Sequence, residues 1–350
     1  MIHERLPTDA DDKPLADCAS CQRSAPNRPG SRQRCKLAVV MKPPPRYCFL
    51  RHAVLLVLAA GLGGGLGVKA YAAPFEVPVI SNPATGAHLV GKLIWLDLET
   101  TDLSGAKIFY RSLFGWDYRD YHSYGANYTV ALAQGDPVAG LVRRQIVNDT
   151  ERRSAWLPFF SVADVGATFA QALKVRALVR SEPEDFPRRG RQARLTDPEG
   201  AAFALVNSSS GDPSDDPNPR ALGTWGSPSL LARDPAAEAV FYQELFRYAV
   251  LGEPTHAGFE RIRLSAGTHE RASVRRLPSG ADALSPQWLS FVRVFSTVGT
   301  SRQAVKLGGH ILVAATPTTN GATTAILEDP TGAVFGVFEL PPEIVNVTTP

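Results

Sequence analysis

The sequence predicts an α+β protein of two tandem modules, each a pair of βαβββ units forming a half-barrel with the helices outside. Three observations predict it. A breaker-rich segment, 208–220, separates two stretches of similar length, 89–207 and 221–340. Both stretches carry the same short motifs in the same order. Within each, a strand-like run followed by a helix-like run and several further strands occurs twice. With 350 residues, 44% hydrophobic and 20% charged, the chain can build about two cores. That composition excludes a wholly disordered, collagen-like or disulfide-framework protein.

The first stretch opens with Leu93-Ile-Trp-Leu-Asp-Leu-Glu-Thr-Thr-Asp102, apolar at alternate positions and ending on an Asp suited to cap a helix. Ala106-Lys-Ile-Phe-Tyr110 and Leu113-Phe-Gly-Trp116 follow at helical spacing. The second stretch has Ser229-Leu-Leu-Ala-Arg-Asp234, then Ala237-Glu-Ala-Val-Phe-Tyr242, then Leu245-Phe246. The later halves match as well. Trp156-Leu-Pro-Phe-Phe-Ser-Val corresponds to Trp288-Leu-Ser-Phe-Val-Arg-Val. Thr196-Asp-Pro-Glu-Gly-Ala-Ala-Phe-Ala corresponds to Glu328-Asp-Pro-Thr-Gly-Ala-Val-Phe-Gly. Asp-Pro-x-Gly is a turn signature ahead of a buried strand. Second helices are expected from about Val165 to Lys174 and from about Gly299 to Lys306. Phe109-Tyr110 and Phe241-Tyr242 read as anchors between helix and sheet.

The front of the chain differs in kind. All four cysteines and both methionines lie within residues 1–48. Residues 1–72 hold 11 Lys and Arg against 5 Asp and Glu, which leaves 26 against 29 for 73–350. Residues 41–72 read as a secretory signal: Lys42, Arg46 and Arg51 precede the apolar run Ala53 to Val68, and Ala70-Tyr71-Ala72 offers a cleavage site before Ala73. The run is shorter than the ~20 residues a membrane-spanning helix needs. Residues 1–40 read as a disordered or mis-assigned start, with Met41 the expected initiator. Residues 73–88 read as a linker and 341–350 as a tail. Export to the periplasm or medium is the expected localisation. Cys18-x-x-Cys21 with Cys35 lacks a fourth ligand at paired spacing, so no zinc site is expected.

The doubled motif set resembles the vicinal oxygen chelate superfamily, which contains glyoxalase I, extradiol dioxygenases and the bleomycin-resistance proteins; the likeness is to its tandem-module bacterial branch. It spans about residues 90–340 and departs from the pattern where Arg247-Tyr248 replaces a Gly-Trp pair. The resemblance implies a divalent metal held in each cup by three ligands. The corresponding positions here are Trp95, Leu157 and Ala204 in module one, and Ser227, Leu289 and Gly336 in module two. Five of these six carry no side-chain donor for a metal, and a lone Ser hydroxyl is a poor one. The expectation is therefore no metal and no cofactor.

The cups then read as apolar clefts with a few polar groups, the usual form of a small-molecule site. Trp95, Tyr128 and Trp156, with Asp97 and Arg194, are the expected lining of module one. Phe259, Trp288, Arg261 and Arg293 are the expected lining of module two. The expected partner is a small, partly apolar molecule, with no nucleic acid, and the chain a monomer or homodimer. Membrane attachment is expected only if the signal stays uncleaved. Two alternatives stand beside this reading. One is an enzyme: an isomerase or lyase using His122 or His256 with Asp97, or a dioxygenase-type member. The other is a periplasmic structural or interaction module. Thiol catalysis is excluded after Ala73 by the lack of cysteine, and neither a Gly-x-Ser-x-Gly elbow nor a phosphate loop is present.

Overall fold

The computed structural model describes residues 77–123, 126–144, 153–215, 221–252, 261–278, 284–318 and 321–341. Contacts divide the chain into Met1–Val68 and Lys69–Pro350, and every described residue belongs to the second unit. The expected start segment, signal and cleavage site lie outside the described residues.

Four βαβββ units follow one another. The first is β1 (Leu93–Thr100), α1 (Leu103–Phe114), β2 (Asp117–Ser123), β3 (Ala126–Ala133) and β4 (Asp136–Arg143). The second is β5 (Ala155–Ser161), α2 (Val165–Lys174), β6 (Leu178–Phe186), β7 (Gly190–Thr196) and β8 (Ala202–Asn207). The third is β9 (Ser229–Ala232), α3 (Pro235–Phe246), β10 (Ala249–Gly252), β11 (Arg261–Ala266) and β12 (His269–Arg276). The fourth is β13 (Gln287–Leu289), β14 (Phe291–Arg293), α4 (Thr297–Lys306), β15 (His310–Pro317), β16 (Thr323–Glu328) and β17 (Val334–Glu339). Among the described residues no helix is long and apolar enough to cross a membrane.

Local chemistry starts each helix where the sequence marks it. Asp102, Asp164, Asp234 and Ser296 each accept a hydrogen bond from the backbone N–H three residues on, satisfying a donor that the first helical turn leaves open. In module one α1 ends at Gly115, in the left-handed region at φ 72°. In module two the same place is held by Arg247 at φ 56°. This is the structural content of the departure at Arg247-Tyr248.

In module one, β1 pairs antiparallel with β5 and fuses both units into one eight-stranded sheet, ordered β2-β3-β4-β1-β5-β8-β7-β6. In module two the corresponding sheet is divided. β13 pairs with β9 and β14 pairs with β17, giving a five-stranded sheet β10-β11-β12-β9-β13 and a four-stranded sheet β14-β17-β16-β15.

Helices cover the convex face of each module, and the two convex faces meet. One apolar core joins the second and third units through Phe160, Phe203, Phe241 and Tyr242, with Trp288 of β13 packed into it. The other joins the first and fourth through Tyr110, Trp116 and Phe335, with Trp156 of β5 and Trp225, just ahead of β9, packed into it. A hydrogen-bonded chain of aromatic side chains ending on a carboxylate crosses each core. Trp156 Nε1 donates to Tyr110 Oη at 3.1 Å, and Tyr110 donates to Asp329 of the other module at 3.0 Å. Trp288 Nε1 donates to Tyr242 Oη at 2.8 Å, and Tyr242 donates to Asp197 at 3.0 Å. Both carboxylates belong to the Asp-Pro-x-Gly turns, whose glycines, Gly200 and Gly332, sit at φ 99° and 95°, where a side chain is strained. The turn of module one also reaches the start of α3, where the backbone N–H groups of Arg233 and Asp234 donate to the Glu199 carboxylate.

Candidate functional site: two unlike cups

On the concave face of module one, alternate residues of β1 project Trp95, Asp97 and Glu99, while Leu96 and Leu98 enter the core beneath. Trp95, Tyr128, Leu157, Phe159, Ala204 and Val206 form one cluster there. The three positions at which the resemblance places metal ligands, Trp95, Leu157 and Ala204, thus lie together on the concave face. Their chemistry does not fit a divalent cation. Leu157 and Ala204 have no donor atom, and the indole N–H of Trp95 has no lone pair to give. Among the described residues no group of three or more His, Cys, Asp or Glu is placed to hold a metal ion.

The polar groups of this cup are bound to one another. Asp97 Oδ1 accepts from Trp95 Nε1 at 2.8 Å and from Tyr128 Oη at 2.6 Å. Arg189, in the β6–β7 turn, lays its guanidinium over the Trp95 ring at 4.1 Å and over Tyr128 at 5.3 Å, and donates to Tyr128 Oη at 3.2 Å. All four side chains are buried. Burial foremost, and then Asp97, push the Tyr128 hydroxyl well above its usual range, against the opposing pull of Arg189. Tyr128 is therefore a proton-bearing donor, not a base. Gly140 makes the arrangement possible, because a Cβ there would overlap Tyr128 Oη and the Asp97 carboxylate.

The chain itself covers this cup. Val77 and Ile80 pack into the same cluster as Trp95 and Tyr128. The segment carrying them is fastened along 208–213. The Ser81 N–H donates to Ser210 Oγ, and the Ser81 hydroxyl to the Gly211 carbonyl; Asp212 N–H donates to the Ala87 carbonyl at 2.7 Å. Arg194, on β7, pairs with Glu99 at 2.7 Å beyond the covered region.

Two expected cup residues lie elsewhere. Trp156 and Trp288 sit on the convex side, in the chains to Tyr110 and Tyr242. Strand alternation requires this: if Leu157 and Leu289 face the cups, their neighbours must face the helices. His122 and Asp97 are likewise not brought together. His122 is exposed and contacts Asn127 Oδ1 at 2.9 Å, on the side of β2 where Asp120 meets Lys107 of α1. His256 and Phe259 lie outside the described residues.

In module two the concave floor is apolar, made by Leu231, Leu289, Ile326 and Val334 with Phe291 against it. Gly336 leaves the space that the Phe291 ring fills. Arg261 projects from this face of β11 and binds Glu270 at 2.5 Å. Arg293 projects from β14 on the face opposite buried Val292. Sequence reasoning missed Arg189, Glu99, Arg263 and Arg275, and the covering segment 77–90. Arg189 lies in a turn with no periodicity to betray it, whereas Arg263 and Arg275 were signalled by simple alternation with Ile262 and Val274.

The comparisons agree with this architecture. Residues 92–205 match the model of the Glyoxalase/Bleomycin resistance protein/Dioxygenase superfamily. A protein of Mycobacterium tuberculosis named as a glyoxylase, CFP32, is 27% identical over 75% of this chain and 99% of its own length. The anthracycline biosynthesis protein DauV of Streptomyces sp. strain C5 is 37% identical over 33% of this chain and 41% of its own. Among solved structures, the Mn(II)-bound glyoxalase of Novosphingobium aromaticivorans superposes with TM-score 0.50 at 18% identity, covering 72% of this chain and 83% of that one. The 2,2',3-trihydroxybiphenyl 1,2-dioxygenase of Sphingomonas wittichii strain RW1 does so with TM-score 0.50 at 16% identity, covering 71% and 90%. At these identities the structural likenesses establish the fold alone.

Proposed function

From the premise that residues 92–205 are a domain of the glyoxalase/bleomycin resistance/dioxygenase superfamily, we propose that the chain is an exported, metal-independent member that binds a small, partly apolar molecule in a concave cup. One observation carries the metal-independent part: Trp95, Leu157 and Ala204 occupy one cup together and offer no ligand set. The binding part rests on the apolar floor of module two, since an apolar concavity with a few polar groups is the usual small-molecule site. Module one serves as a filled partner, its cup occupied by the Trp95–Asp97–Tyr128–Arg189 cluster and covered by Val77 and Ile80. The export reading rests on the apolar run and Ala-x-Ala site of residues 41–72.

The metal reading is tested by loading the purified protein with manganese, iron and zinc, desalting it, and measuring bound metal. Less than a tenth of an equivalent per chain is expected; a retained stoichiometric ion overturns the proposal. Export is tested by intact mass of the extracytoplasmic protein. An N-terminus at Ala73 is expected, and a species retaining residues 1–40 defeats that part.

A further inference from the structure

The two junctions between the modules correspond residue by residue, and they differ at a buried helical position. Counted from the capping residues Asp102 and Asp234, the fourth place holds Ala106 on α1 and Glu238 on α3, and the eighth holds Tyr110 and Tyr242. Each tyrosine meets the Asp of the turn opposite, Asp329 or Asp197. On α3 the Glu238 side chain is buried and reaches both Asp197 and the Glu199 backbone, occupying the space between helix and turn. On α1 the methyl group of Ala106 stops short, and a cavity of about 200 Å³ remains. Phe109, Leu307, Pro330 and Thr331 wall it together with Asp329, and the exposed Ile108 stands at its rim.

This cavity lies on the convex side, away from both cups. Its size sets the bulk of what can enter. Apolar space of ~150 Å³ holds benzene, so the cavity admits one ring with a small substituent. Its charge sets the polar group. Asp329 is buried, and its Oδ1 accepts from the Thr331 N–H and hydroxyl, both at 2.8 Å, and from the Ala333 N–H at 3.0 Å. Its Oδ2 accepts from the Tyr110 hydroxyl at 3.0 Å. A carboxylate oxygen carries two lone pairs, so Oδ2 has room for a second donor. Asp329 and Asp102, both on the cavity wall, repel an anion, and the first turn of α1 disfavours a cation. A neutral hydroxyl satisfies all of these constraints, as the Tyr110 phenol already does.

We propose that the junction cavity between α1 and the Asp329 turn binds a neutral, single-ring compound bearing a hydroxyl, with the ring against Phe109, Leu307 and Pro330 and the hydroxyl donating to Asp329 Oδ2. This site is separate from the cups and stands or falls without them. The test is calorimetric titration of the full purified protein with phenol, benzene and benzoate, repeated on Ala106→Glu, Ala106→Leu and Glu238→Ala. Phenol is expected to bind the unsubstituted protein at one equivalent, ten-fold or more tighter than benzene or benzoate. Ala106→Glu copies the other junction and Ala106→Leu fills the space with an apolar group, so each should abolish phenol binding. Glu238→Ala should open the matching cavity on α3 and raise phenol to two equivalents, a gain that can be read even if the filled variants do not fold. Phenol that fails to bind, that still binds both Ala106 variants, or that gains no second equivalent in Glu238→Ala overturns the proposal. Benzene or benzoate binding as tightly as phenol overturns the ligand class.

Discussion

Arg247 is a non-glycine residue held in the left-handed region at φ 56°. It is exposed, ends α3, and stands where module one has Gly115. A non-glycine residue in the left-handed region is strained by about 1 kcal/mol or more. Arg247→Gly is therefore expected to raise stability by roughly 0.5–1 kcal/mol in a denaturant titration, and an unchanged or lowered midpoint contradicts this account. Tyr242 presents the opposite case, a fully buried hydroxyl between Trp288 and Asp197. Tyr242→Phe leaves the indole N–H and the carboxylate each short of a partner and should cost about 1–3 kcal/mol. Tyr110→Phe should do the same through Trp156 and Asp329, and losses under about 0.5 kcal/mol would show that the hydroxyls are not carrying the junction. These chains also show what could be read in advance. The Phe-Tyr pairs were legible as anchors, but their bond to the partner module's turn was not, because nothing in a strand–helix pattern fixes which module a convex face meets. Trp156 and Trp288 were misplaced although parity sufficed to place them: one residue from Leu157 and Leu289 means the opposite face.

Among the elements, the segment 77–90 does most that periodicity could not foretell. Its Pro- and Asn-punctuated sequence reads as a linker, yet Val77 and Ile80 complete the module-one cluster and Ser81 is tied to 210 and 211. A segment held by hydrogen bonds to a distant loop leaves no repeating pattern in its own sequence, so only the βαβββ units were legible, through alternation and caps. Ile80→Ala should cost about 2–3 kcal/mol, as for a buried aliphatic truncation. It should also open Trp95 to solvent, read as increased acrylamide quenching compared with the same substitution in a Trp95→Phe background. Unchanged quenching would mean the segment does not shield the cup.

For the molecule as a whole, the junction between modules predicts a pH response. Glu238 of α3 lies buried beside Asp197 of the module-one turn. Burial first, and then the Asp197 carboxylate, raise the Glu238 carboxyl to about 8; burial also raises Asp197. A carboxyl that holds its proton more tightly when folded stabilises most fully below its unfolded value, near 4.5. That contribution is lost as pH rises through the window from about 4.5 to about 8. Thermal midpoints should fall across this range, and Glu238→Gln should flatten the slope; a wild-type profile that rises from pH 5 to 8 would refute the assignment.

The crossed tyrosines also bear on how such a chain can be recombined. Each module's helix carries a hydroxyl whose acceptor is encoded in the other half, in both directions. A chimera that grafts one half onto a foreign partner inherits a tyrosine without its carboxylate and a carboxylate without its tyrosine. Two separately expressed pieces, cut between Asp215 and Ala221, hold one of each and should reassemble on mixing while neither stays soluble alone. Each half thereby finishes the interior of the other.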